Sequence, residues 1–232
     1  VESISLAEER GSFPAFKGSI YDGDHPRFPF EADDEEKQLT LNWDELREKI
    51  KMHGIRNATT TTIAPTGTIS IIAGTSSGIE PLFALAFFRR VLGGVSLFEI
   101  NPVFEEVLRE RGLYSDELIH EVAKVGSIQH IDKIPEDIKR IFVTALDIDV
   151  DWHVKMQAAF QEFTDNAVSK TINLRFESSP EDVREAFILA YKLKCKGITI
   201  YRYGSKGEQV LYIGKPSKEK SSEGVIELGP ED

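Results

Sequence analysis

The chain has 232 residues, of which 41% are hydrophobic and 29% charged, and carries a net charge of −11 at pH 7. That length can bury a substantial core, and the acidic balance argues against broad binding to nucleic-acid backbones, which rests on clustered Lys and Arg. The single cysteine, Cys195, excludes an internal disulfide and fits a reducing cytoplasm. No apolar run approaches the roughly 20 residues of a membrane helix.

Residues 1–41 read as an irregular segment, because Gly11, Pro14, Gly18, Gly23, Pro26 and Pro29 interrupt any long element. Phe13, Phe16, Tyr21, Phe28 and Phe30 are expected to pin it to a core, and the run Asp33 to Glu36 reads as solvated loop. Asn42 predicts the cap of a helix from Trp43 to about His53, ended by Gly54. Thr59 to Ile63 are β-branched and predict a strand, which Pro65 stops.

The loop that follows, Pro65-Thr66-Gly67-Thr68-Ile69-Ser70, offers hydroxyls, free amides and a glycine that admits close approach of a ligand. Those features suit an anion, although no Gly-Lys-Ser/Thr follows and the loop is not a P-loop. Chemistry alone leaves both a phosphate cradle and an ordinary turn open.

A helical middle is predicted next. Asn101-Pro102 opens one helix and Gly112 stops it; Ser115 caps a second, with Leu118, Val122 and Val125 inward; Pro135 opens a third. From Asp151, Trp152, Met156, Ala159, Phe160, Phe163 and Ala167 form one apolar helix face, and His153, Gln157 and Gln161 an uncharged stripe. A structural, hydrogen-bonded role is the simpler reading for all three polar residues. Ser169 to Phe176 predicts a strand, Ser179-Pro180 a capped helix, and Ile198 to Tyr203 a second strand, making a βαβ unit with parallel pairing. The last twenty residues read as a flexible tail.

Three blocks in order resemble the ribonucleotide reductases. The first is Arg56-Asn57-Ala58 through Ser70, then Ala73-Gly74 and Ser76-Ser77-Gly78-Ile79-Glu80-Pro81. The second runs from His153 through Met156-Gln157-Ala158-Ala159, Gln161 and Asp165-Asn166 to Ser169-Lys170-Thr171-Ile172-Asn173. The third is Gly197 to Arg202 with Gly204-Ser205. The Pro-Thr-Gly-Thr-Ile-Ser form is similar to the adenosylcobalamin-dependent class.

The resemblance implies a ten-stranded α/β barrel, of which residues 42–211 would supply the C-terminal part, with 1–41 packed on it and 212–232 as tail. It implies adenosylcobalamin as cofactor of the intact enzyme, and a ribonucleoside di- or triphosphate as substrate. Pro65, Thr66, Gly67, Thr68, Ile69 and Ser70 would hold the phosphates. Glu80, His153, Gln157 and Tyr201 would be active-site neighbours, Glu80 more simply as a carboxylate capping amides and Tyr201 as packing or pocket wall. The family's radical cysteine in Asn-x-Cys-x-Glu and its terminal cysteine pair are absent, since Cys195 lies between Lys194 and Lys196. No catalytic residue and no metal ligand is therefore assigned here. The expectation is a portion inactive alone, completed by the N-terminal remainder of a reductase and prone to self-association, a homodimer included. A stand-alone nucleotide-binding or assembly subunit is the alternative.

Overall fold

The computed structural model describes residues 1–23, 42–90, 96–205 and 211–212. Helix α1 (Glu2–Arg10) and α2 (Trp43–His53) pack through Ile4, Ile50 and Ile55, with Phe13, Phe16 and Tyr21 against them. The N-terminal segment thus opens on a helix rather than irregular chain. Its breakers begin only at Gly11, whose N–H closes on the Ala7 carbonyl. The expectations for Phe28, Phe30 and the acidic run fall outside the described residues, as does that for the tail beyond Tyr212.

Helix α3 (Gly67–Ala73) leads to a hairpin of β1 (Ala86–Arg90) and β2 (Ser96–Ile100), which the helical reading of the middle missed. The strands are antiparallel, with Phe88 opposite Phe98, and β5 (Leu211–Tyr212) adds to the other edge of β1. Helices α4 (Pro102–Glu110), α5 (Asp116–Val125) and α6 (Glu136–Ile141) cover the hairpin around Leu85, Phe104, Leu108, Val122 and Ile138. Leu118 and Val122 point inward as predicted, whereas Val125, at the end of its helix, is exposed.

The site-bearing layer is a two-stranded parallel sheet of β3 (Thr171–Leu174) and β4 (Thr199–Arg202) joined through α8 (Pro180–Lys192), with α7 (Val150–Gln161) packed on β3 and α8. Its core is Val154, Ile172, Leu174, Ala186 and Ala190. The described strands form one three-stranded and one two-stranded sheet, not a closed barrel. No helix among the described residues is long and apolar enough to cross a membrane.

Two local expectations are corrected. Thr59 to Ile63 run beside residues 165–169, but only Ile63 forms a ladder bridge, parallel to Val168. Thr60 and Thr61 give their N–H groups to the Asp165 carboxylate instead of a neighbouring strand, at 2.6 and 3.2 Å. On α7 the buried face is inverted: His153, Gln157 and Gln161 are buried, while Trp152, Met156, Phe160 and Phe163 are exposed. The polar stripe can be buried because backbone carbonyls satisfy it. His153 meets Ala145, Gln157 meets Gly197, and Gln161 meets Thr164 and Asn166.

Candidate functional site

The segment after the Ile63 bridge turns at Pro65 and enters α3 through Thr66, which is held in the left-handed region at φ 51°. A β-carbon there costs on the order of 1 kcal/mol, and such strain accumulates where a backbone is fixed for a task. Two contacts hold the turn. The Ser77 hydroxyl donates to the Pro65 carbonyl, and the Thr66 and Ser77 hydroxyl oxygens lie 3.4 Å apart. Gly78, at φ 51°, lets the two passes of chain cross: a Cβ there would sit 3.2 Å from the Ala64 carbonyl oxygen.

At the start of α3 the amides of Gly67, Thr68 and Ile69 precede the first helical carbonyl they could reach, and the ladder begins with the Ser70 N–H on Thr66. A Cβ on Gly67 would meet nothing within 4 Å, so open space lies over that turn. Ser70 faces the other way. It is buried and its hydroxyl donates to the Gly67 carbonyl at 2.8 Å.

Of these residues, Pro65, Gly67 and Ser77 line a cleft of about 330 Å³. The lining continues with Glu80, Pro81 and Phe83 from the segment after α3, and with Ala145, Ser169, Thr171 and Asn173. Alternation along the strand explains its share of the lining: Ser169, Thr171 and Asn173 point to the cleft, while Val168, Lys170, Ile172 and Leu174 are buried behind it. Tyr201 pairs with Asn173 across the parallel ladder and so lies on the same sheet face.

Behind the cleft, Lys170 donates to Glu80 Oε2 at 2.9 Å, to His153 Nδ1 at 2.9 Å and to the Thr171 carbonyl at 2.7 Å. Three acceptors match the three N–H bonds of an ammonium. Glu80 Oε1 accepts the Thr171 N–H at 2.5 Å. With Nδ1 accepting, His153 carries its proton on Nε2 and donates to the Ala145 carbonyl at 2.9 Å. Burial, and then the charge of Lys170, hold the His153 imidazole below its ordinary pKa. Burial also lowers Lys170, against the opposing pull of Glu80.

Of the sequence-derived residues, Pro65, Gly67 and Glu80 meet at the cleft, and His153 supports it through Ala145. Gln157 is buried apart from it, donating to Gly197 at 2.7 Å and leaving Oε1 unpartnered. Lys170 and Asn173 were not singled out as site residues. Lys170 carried a legible signal, because it shares the inward strand phase of Ile172 and Leu174, where a charge demands a partner. Cys195 packs against the β3–β4 core and burial raises its thiol, the opposite of an activated thiolate.

Residues 1–201 match the family model described as ribonucleotide reductase, barrel domain, and the chain belongs to the ribonucleotide reductase family. It is 52% identical over 227 residues to the vitamin B12-dependent ribonucleoside-diphosphate reductase of Thermoplasma acidophilum, covering 97% of this chain and 26% of that protein. The protein of the same name from Mycobacterium tuberculosis strain H37Rv is 44% identical over 214 residues, covering 92% of this chain and 26% of that protein. Among solved structures, the class Id ribonucleotide reductase alpha subunit of Actinobacillus ureae superposes with a TM-score of 0.54 at 26% identity, over 68% of this chain and 29% of that one. The chain spans about a quarter of the length of the curated relatives it matches.

Proposed function

We propose that this chain is the C-terminal, substrate-phosphate-binding portion of a cytoplasmic, adenosylcobalamin-dependent ribonucleotide reductase. The observation that carries the reading is the open first turn of α3 at the cleft edge. Three backbone amides there lack intrahelical acceptors, and Gly67 leaves room above them. Pro65 and Thr66 set the turn, and Gly67, Thr68 and Ile69 give N–H groups to the terminal phosphates of a ribonucleoside di- or triphosphate. Ser70 acts indirectly, by fixing the Gly67 peptide.

Amides suit this task because they favour an anion without entering redox chemistry. A fixed phosphate places the ribose against a radical, and fixed geometry removes much of the entropic part of the barrier. The sheet face carrying Thr171, Asn173 and Tyr201 forms the wall beside the nucleotide. Residues 42–211 belong to the barrel domain with 1–41 docked on it, and β3–α8–β4 is one repeat of a ten-stranded barrel completed by other polypeptide.

Adenosylcobalamin does not fit the site described. The cleft of about 330 Å³ is of nucleotide size, far short of a corrin. Cofactor and radical cysteine are therefore assigned to the upstream part of the reductase, and this chain alone is inactive.

Gly67→Val in the chain combined with that upstream part tests the reading. The added side chain enters open space within the structure, so the melting temperature should hold while KM for the nucleotide rises about tenfold, the effect of losing a charge-assisted contact or two. An unchanged KM contradicts the phosphate site and favours an assembly subunit.

A further inference from the structure

Glu80 presents an anomaly at a site for phosphate. Among the described residues lining the cleft it is the only ionisable one, and its charge has the wrong sign for the ligand. Its side chain is 23% exposed, whereas that of Lys170 is 2% exposed. All three Lys170 donors are spent internally, on Glu80, His153 and Thr171. Unlike a lysine that grips a phosphate, this one has neither access to a ligand nor a free N–H to offer. Its direct contacts with the cleft lining are to Glu80 and to the Thr171 carbonyl.

Resting on the phosphate-site reading, we propose that Lys170 is a positioning residue that cancels the Glu80 charge at the cleft wall, so that a nucleotide's phosphate meets the α3 amides without an opposing carboxylate. The same ammonium aligns three walls. It binds Glu80 from the loop after α3, it binds the Thr171 carbonyl while Glu80 takes the Thr171 N–H, and it orients His153, whose Nε2 holds the Ala145 carbonyl. Glu80, Thr171 and Ala145 all line the cleft. A neutral residue in place of Glu80 would spare the site this requirement; the carboxylate is retained as the acceptor that fixes the Thr171 amide.

The test measures affinity for cytidine diphosphate and for inorganic pyrophosphate, by calorimetry, with this chain combined with the upstream part of the reductase. Lys170→Met exposes an uncompensated carboxylate and should weaken both ligands about tenfold through like-charge repulsion. Glu80→Gln leaves the lysine charge unopposed and should tighten both. Lys170→Met/Glu80→Gln should return affinity to near the wild-type value, a rescue that a merely structural role for Lys170 would not give. Wild-type affinity in Lys170→Met overturns the proposal, as does a double variant as weak as the single or a Glu80→Gln variant that binds more weakly. Should Lys170→Met fail to fold, Glu80→Gln and the double variant decide by the same signs. Wild-type protein that binds neither ligand would instead overturn the phosphate site on which the proposal rests.

Discussion

At the residue scale the chemistry concentrates in side chains that face inward. Lys170 stood within the second motif block without being assigned a site role, yet its phase with Ile172 and Leu174 shows where it points. His153 gives a pH prediction. Its folded pKa is depressed, so below the ordinary value of about 6.5 the unfolded chain binds a proton that the folded chain does not. The stability due to neutral His153 is complete above about pH 6.5 and is lost as the pH falls below it. Thermal unfolding should therefore show a melting temperature that drops from pH 7.5 to 5.5, with a shallower slope for His153→Gln. Equal slopes would contradict the burial of a neutral imidazole. Asp165 offers a second measurement. Its carboxylate is pushed up by burial but held below its usual range on balance by Thr60, Thr61 and Tyr21. Removing those bonds with Asp165→Ala should cost about 2 kcal/mol in denaturant unfolding, and a cost below about 0.5 kcal/mol, the range of ordinary surface substitutions, would show that the Thr-rich segment is held by something else.

At the element scale, what could be read from sequence was whatever is local. Asn42, Asn101, Ser115 and Ser179 each accept the amide expected of a cap, from Glu45, Phe104, Leu118 and Asp182. Capping depends on three or four neighbouring residues and on nothing distant. The loop at Pro65–Ser70 was legible as a break with free amides, but not as a helix start, because Thr66 enters α3 through a left-handed conformation that its residue type does not announce. Helix α7 was read backwards for a different reason. Periodicity identifies two faces and hydrophobicity picks one to bury. Here His153, Gln157 and Gln161 find carbonyl partners in the loops before and after α7 and just before β4, and the larger apolar face is left exposed. Ser179→Ala, which removes the capping box of α8, should cost about 1 kcal/mol by denaturant unfolding. Phe160→Glu on the exposed face of α7 should change stability by less than about 0.5 kcal/mol, and a loss of several kcal/mol would mean that this face is packed within the chain after all.

At the scale of the whole molecule, the βαβ unit was legible and the hairpin of β1 and β2 was not, because its apolar residues come as adjacent pairs, Phe87-Phe88 and Leu97-Phe98, without the alternation that marks a half-buried strand. The exposed Trp152, Met156, Phe160 and Phe163, with Ile69 and Ile72 on α3 and Phe187 and Tyr191 on α8, form more apolar surface than isolated exposed side chains explain. The isolated chain should therefore self-associate at micromolar concentration in sedimentation, and a compact monomer would contradict that expectation. Function in the intact enzyme turns on the grip of the α3 amides on phosphate. Amide hydrogen exchange of Gly67, Thr68 and Ile69, with the upstream part of the reductase present, tests it most directly: a ribonucleoside diphosphate should slow exchange there and leave α5 unchanged, whereas unaltered exchange at all three amides under saturating nucleotide would contradict the account.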